Sequence, residues 1–248
     1  VSRIQATLQT RDGHCPALLF TPAESGGPWP GVILCMDAFG IRPTMEKMAQ
    51  CLADDGYAVL LPDLFYRLAP LKPLEPAQVF ADPSLMQELM RRVGSLDRDR
   101  KLADAAAFLD FLDHRPEVAG PRYGIVGYCM GGNVALTVAG GFPERFAAIA
   151  SFHGGHLASE APDSPHRFVA GIRGRVYVGV AVEDPSFPPE QQERLEAALR
   201  EAGVPHVIET YPGARHGFAV PDNPSYQPAA AERHWQVLFD LLRSTLRA

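Results

Sequence analysis

Tyr123-Gly124-Ile125-Val126-Gly127-Tyr128-Cys129-Met130-Gly131-Gly132-Asn133-Val134-Ala135-Leu136 sets an apolar run, a glycine-flanked turn and a small-residue apolar segment in immediate succession. The pattern predicts a buried strand, a sharp turn and a departing helix. Gly127 and Gly131 stand two residues before and two after Cys129. That spacing, G-x-Nu-x-G, is what a strand-to-helix nucleophile turn demands, because the two flanking positions are too crowded for side chains. Cys129 occupies the place that serine commonly holds. The stretch alone also permits a plainer reading, a glycine-rich strand–helix turn with Cys129 as a small buried hydrophobe.

Outward from this stretch, apolar runs alternate with segments of helical spacing. Gly31–Met36, Tyr57–Leu61, Phe146–Ser151, Val176–Val182 and His206–Tyr211 read as strands, and Ile4–Leu8 and Ala17–Phe20 as a hairpin turning at Arg11–His14. Met45–Asp55, Asp97–Leu112, Pro189–Ala202 and Ala229–Leu246 read as helices. Thr21–Pro30 and Gly154–Gly174 read as loops. Leu64–Ser95 is punctuated by prolines at 70, 73, 76 and 83, with helical spacing only over Ser84–Val93. It is too short for a core of its own and reads as an excursion over the sheet. Strands alternating with helices imply right-handed crossovers and a mostly parallel sheet. The expectation is a single α/β domain over residues 1–248, with about eight strands flanked by helices, a count that matches the α/β-hydrolase arrangement.

Composition narrows the function. The chain has 248 residues, is 46% hydrophobic and carries a net charge of −6, which argues against nucleic acid or an anionic membrane as partner. No apolar run approaches the roughly 18–20 residues that span a bilayer, and the N-terminal residues carry no basic-then-apolar export signal. Cys15, Cys35, Cys51 and Cys129 form no C-x-x-C pair and no metal-ligand spacing. A cytoplasmic protein without a metal site is expected. Oligomeric state is not legible.

In an open α/β sheet, ligands bind beyond the carboxyl ends of the strands. The residues that follow those ends here are Asp37-Ala38-Phe39-Gly40, Asp63-Leu64-Phe65-Tyr66, Cys129-Met130, His153-Gly154-Gly155-His156, Glu183-Asp184 and Arg215-His216. A nucleophile, an acid and a histidine occur among them in the chain order that α/β-hydrolases require. Cys129 at a helix mouth gains thiolate character from the helix dipole and from His216. His216, on a turn past a strand, serves as base. Asp184, preferred to Glu183, holds the imidazole in the correct tautomer. The backbone N–H groups of Met130 and Ala38 complete an oxyanion hole. Phe39, Tyr66, Tyr128 and His153 are candidates for the pocket wall. Arg91 and Arg92 are candidates for an anion site, although a basic pair on a helix surface is more often simply solvated.

Met36-Asp37-Ala38-Phe39-Gly40, Leu61-Pro62-Asp63-Leu64-Phe65-Tyr66, Gly127–Gly132 and Tyr211-Pro212-Gly213-Ala214-Arg215-His216-Gly217-Phe218 together resemble the dienelactone hydrolase family over essentially the whole chain. The resemblance implies an α/β-hydrolase fold with no large cap, a Cys129–His216–Asp184 triad and hydrolysis of a small ester or lactone without a cofactor. It also implies a carboxylate that contacts the resting thiol, for which Asp37 stands in the matching position, one methylene shorter than the family's glutamate. A carboxylate that merely shapes the oxyanion turn is the other reading of Asp37. The family's dienelactone hydrolase grips its substrate's carboxylate with two arginines. This chain departs from that pattern, since Gly217-Phe218-Ala219-Val220 contains no arginine. A general carboxylesterase or thioesterase would carry the same triad. A non-catalytic ligand-binding protein of this fold would typically lack one of its members.

Overall fold

An N-terminal hairpin, β1 (Ser2–Thr10) and β2 (Gly13–Thr21), forms one edge of the sheet, and β2 pairs antiparallel with β4 (Ala58–Pro62). The remaining strands run parallel: β3 (Trp29–Cys35), β5 (Val118–Tyr128), β6 (Phe146–Phe152), β7 (Arg175–Glu183) and β8 (His206–Arg215). The computed structural model describes residues 1–23 and 26–247, and in it these eight strands make one sheet in the order β1-β2-β4-β3-β5-β6-β7-β8. Part of the expected Thr21–Pro30 loop, at Glu24 and Ser25, therefore lies outside the described residues, as does Ala248.

The order explains where a site forms. From β3 the chain crosses through α1 (Pro43–Asp54) to β4 on one side, then returns over β3 through α4 (Arg98–Asp113) to β5 on the other. Right-handed crossovers in opposite directions put α1 and α4 on opposite faces and leave a crevice at the carboxyl ends of β3 and β5. The turn after β3 and the turn after β5 are therefore neighbours. From β5 onward the chain advances in one direction, through α5 (Met130–Gly141) to β6 and through α6 (Pro189–Glu201) from β7 to β8. A closing helix, α7 (Pro228–Leu246), lies beside α1, where Arg243 pairs with Asp55. Continuous apolar runs follow from this two-sided cover: every residue of β4 and β6 is buried.

The structure differs from the sequence reading over Leu64–Ser95. Besides α3 (Pro83–Gly94) it contains a short helix, α2 (Pro76–Ala81). Each begins with proline at its first position, where the missing N–H has no intrahelical partner to lose. Asp82 ends α2 and caps α3 by accepting from the Ser84 amide at 2.8 Å. Two of the four prolines that punctuate this stretch, Pro76 and Pro83, are thus helix starts. β8 is also longer than expected and carries the chain as far as Arg215. Among the described residues no helix is long and apolar enough to cross a membrane.

Candidate active site

Cys129 stands between β5 and α5 with φ 55° and ψ −121°, a backbone conformation that a non-glycine residue adopts only when its surroundings force it. The surroundings are tight. A Cβ on Gly127 would collide with the Gly131 carbonyl, one on Gly131 with the carbonyls of Cys35 and Met36, and one on Gly132 with Ser151 Oγ. The glycines let the chain turn at this angle, and the turn lifts the Cys129 side chain to the carboxyl edge of the sheet.

His216 follows β8 directly. Its Nδ1 hydrogen-bonds Asp184 Oδ2 at 2.7 Å and lies 3.2 Å from Ser186 Oγ, and the Cys129 side chain is close enough to act on its charge. Donation from Nδ1 to the carboxylate leaves Nε2 for the sulfur. Burial works against a charged imidazole, yet Cys129 and Asp184 outweigh it and carry His216 well above its ordinary pKa. Asp184 is itself held in place. Its Oδ1 accepts from the Ser186 amide at 2.9 Å and from Ser186 Oγ at 2.6 Å. Burial pulls its carboxyl up, but His216 and Ser186 bring it below the usual carboxylate range. Glu183 points outward and pairs with Arg215 at 3.3 Å on the surface.

The turn after β3 faces this assembly. Asp37 Oδ1 accepts from the Phe39 amide at 3.1 Å, and the Gly40 amide donates to the Asp37 carbonyl at 3.3 Å. These bonds set the plane of the Ala38 peptide. Among the described residues, neither the Ala38 nor the Met130 amide is spent on another hydrogen bond. Arg42 braces the turn from beneath. It donates to Asp37 Oδ1 at 2.7 Å and Oδ2 at 2.9 Å, and to Asp222 at 2.7 and 2.8 Å. Arg42 thereby ties the turn after β3 to the loop that follows His216.

Cys129, His216, Ala38 and Met130 open on a cavity of about 350 Å³ whose outer wall is α3. Of the expected pocket residues, Phe39 and His153 line it. His153 is buried, its ring 5.2 Å from that of His216, and burial drives its imidazole well below the ordinary value, so it is neutral. Tyr66, Tyr128, Arg91 and Arg92 are elsewhere, which corrects the sequence reading. Tyr66 hydroxyl bonds Thr10 at 2.6 Å and Asp104 at 2.9 Å beneath the hairpin. Tyr128 hydroxyl bonds His234 on α7 at 2.7 Å, because strand alternation turns it to the face opposite the crevice. Arg91 pairs with Glu88 at 2.7 Å on the outside of α3. Arg92 reaches Glu88 at 3.0 Å and the Lys72 carbonyl at 3.0 Å.

Residues 15–246 match the model of the dienelactone hydrolase family. The chain belongs to that family. Among its relatives, a protein of Synechocystis sp. provisionally named carboxymethylenebutenolidase is 28% identical over 89% of this chain and 88% of its own. The carboxymethylenebutenolidase of Pseudomonas putida is 26% identical over 91% of this chain and 89% of its own. Among solved structures, a dienelactone hydrolase-like promiscuous phosphotriesterase from metagenomic libraries superposes with a TM-score of 0.80 at 26% identity, covering 99% of both chains.

In this dienelactone hydrolase family member Asp37 lines the same cavity as Cys129 and is held in the turn after β3. Both Asp37 oxygens are engaged by Arg42, and Oδ1 also by Phe39. Four contributors were missed from sequence. Arg42 lies five residues past Asp37, and Ser186 two past Asp184 in a local side-chain turn, so each had a positional signal. Asn133, one helical turn beyond Cys129, shares its face of α5 and had the same kind of signal. Lys101 also lines the cavity, and its Nζ donates to Asn133 Oδ1 at 2.8 Å. Nothing near Lys101 in the sequence marks it out.

Proposed function

We propose that the chain, acting as one catalytic domain, hydrolyses a small ester or lactone through an acyl-enzyme on Cys129. The observation that carries this reading is His216 placed between Asp184 and Cys129, with the cysteine at a strained strand–helix turn. The imidazole holds the thiol proton, and the sulfur attacks the carbonyl carbon to form a C–S bond. The resulting oxyanion falls between the amides of Ala38 and Met130, already oriented and already out of water. His216 returns the proton to the departing alkoxide. It then takes a proton from water, whose oxygen attacks the thioester carbon and releases the acid and the free thiol. Asp184 stays ionised and stabilises the imidazolium. No step calls for a cofactor. The four free cysteines suit a reducing compartment such as the cytoplasm.

The names of the relatives support lactones as one substrate class, and simple esters follow from the same chemistry. Cys129→Ala and His216→Ala should each abolish turnover of an aryl ester while leaving the circular dichroism spectrum unchanged. Full activity in either variant rejects the triad.

A further inference from the structure

The reacting sulfur lies at the base of a cavity whose walls differ sharply in character. One wall is polar: Asn133, Lys101, and the backbone of the Gly155–His156 turn, whose carbonyls accept from Asn133 Nδ2 at 3.3 and 3.1 Å. The other is supplied by the α2–α3 pair and the turn just after it and is wholly apolar, with Phe80, Met86, Leu89, Met90 and Val93 on the helices and Leu96 beyond them. Two of these break the ordinary rule for surface residues. Phe80 and Met90 are each 56% exposed, although both are large hydrophobes in helices that could have turned them inward. They stand at the rim of the same cavity, and Phe80 meets Phe39 edge-on at a centroid distance of 6.1 Å. A continuous apolar track thus runs from solvent, past the rim, to the turn that holds Ala38. Exposed apolar surface joined to a cavity in this way marks a surface that a ligand covers.

The basic residues near this track are committed elsewhere. Arg91 and Arg92 face away from the cavity toward Glu88. Lys101 is the cavity's one lysine or arginine among the described lining residues, and its ammonium is given to Asn133. A carboxylate carried along the α2–α3 wall would therefore lose its hydration and meet no guanidinium, a cost that burial alone cannot repay.

We propose that the arm extending from the substrate's reacting carbonyl along α2–α3 is an uncharged hydrocarbon or aryl group, so that the site selects apolar esters or lactones over those bearing a carboxylate. The proposal rests on Cys129 as nucleophile. Its test is a matched series of p-nitrophenyl esters from acetate to octanoate, together with the esters of the same chains ending in a carboxylate. kcat/KM should climb about three- to fourfold per methylene until the cavity is filled, the increment expected for burying one such group. Each terminal carboxylate should lower it at least tenfold. Phe80→Ser/Met90→Ser, at two exposed positions where folding tolerates change, should flatten the climb. A flat series in the parent enzyme overturns the proposal, as does an unaltered climb in the double variant. A preference for the carboxylated esters that disappears in Lys101→Met also overturns it and assigns Lys101 an anion site. Failure of the nucleophile reading looks different: Cys129→Ala would then hydrolyse the whole series as the parent does.

Discussion

Replacing Arg42 with methionine tests how the oxyanion turn is held. The guanidinium makes four charge-assisted hydrogen bonds of 2.7–2.9 Å, two to Asp37 and two to Asp222, and is 3% exposed. Its partners differ. Asp37 is 1% exposed, whereas the Asp222 side chain keeps 30% of its surface and can hydrate when the arginine leaves. The cost therefore falls on Asp37. Without Arg42, burial and the nearby Asp222 both drive the Asp37 carboxyl toward protonation. Breaking a buried pair from one side typically costs about 3–5 kcal/mol, because the remaining group is left without compensation. Urea unfolding of Arg42→Met should show a loss of that size, out of a total stability of about 5–15 kcal/mol. The double variant Asp37→Asn/Arg42→Met removes the stranded charge and should recover part of the loss. kcat should fall as well, because the Asp37–Phe39 bond that orients the Ala38 amide depends on the same carboxylate, and one oxyanion donor is worth about 10²–10³ in rate. An Arg42→Met protein within about 1 kcal/mol of the parent, or a double variant no more stable than the single one, refutes this account.

Three further outcomes can be checked together. Asp184→Asn should leave the fold intact but lower kcat by about 10⁴-fold by favouring the wrong imidazole tautomer, read by steady-state kinetics beside a thermal melt. Gly131→Ala should destabilise by about 1–3 kcal/mol or more, since its methyl meets the Cys35 and Met36 carbonyls and backbone cannot step aside cheaply; denaturant unfolding measures it. Burial pushes the His234 imidazole down to about 3, against the Ala231 carbonyl that raises it. The unfolded chain then binds a proton that the folded one refuses. Stability present above pH 6.5 should be lost at about 1.4 kcal/mol per pH unit as pH falls toward 3. His234→Gln should remove that part of the acid slope in urea titrations at a series of pH values.

Position along the chain was legible in the sequence, and side-chain direction was not. Cys129, Asp184, His216 and Ala38 could be grouped as one candidate site because a parallel sheet brings the ends of its strands to one edge, and apolar runs reveal where strands end. Glycine spacing around Cys129 added a steric requirement that the Gly131–Cys35 approach now makes concrete. Tyr66 and Tyr128 also follow or end strands, yet one packs under the hairpin and the other against α7. Their destinations depend on which face each residue takes and on helices far away in the chain. The Pro76–Gly94 segment was obscured for another reason. Proline reads as an interruption in a one-dimensional pattern and as a helix start in three dimensions, so only Ser84–Val93 was read as helical and its apolar side beside Cys129 was not recognised. Arg42 and Asn133 had only their offsets from Asp37 and Cys129 to mark them, and Lys101 joins a polar network that closes between distant segments, which periodicity cannot register.

The account turns on a covalent intermediate at one sulfur. Rapid acid quench of enzyme mixed with excess p-nitrophenyl ester, followed by mass spectrometry of the intact protein and its peptides, looks for it directly. The prediction is an added mass equal to the acyl group, confined to the peptide containing Cys129, formed during turnover and absent from Cys129→Ala. Turnover at the parent rate with no acyl group on Cys129, or with the label on another residue, contradicts the account.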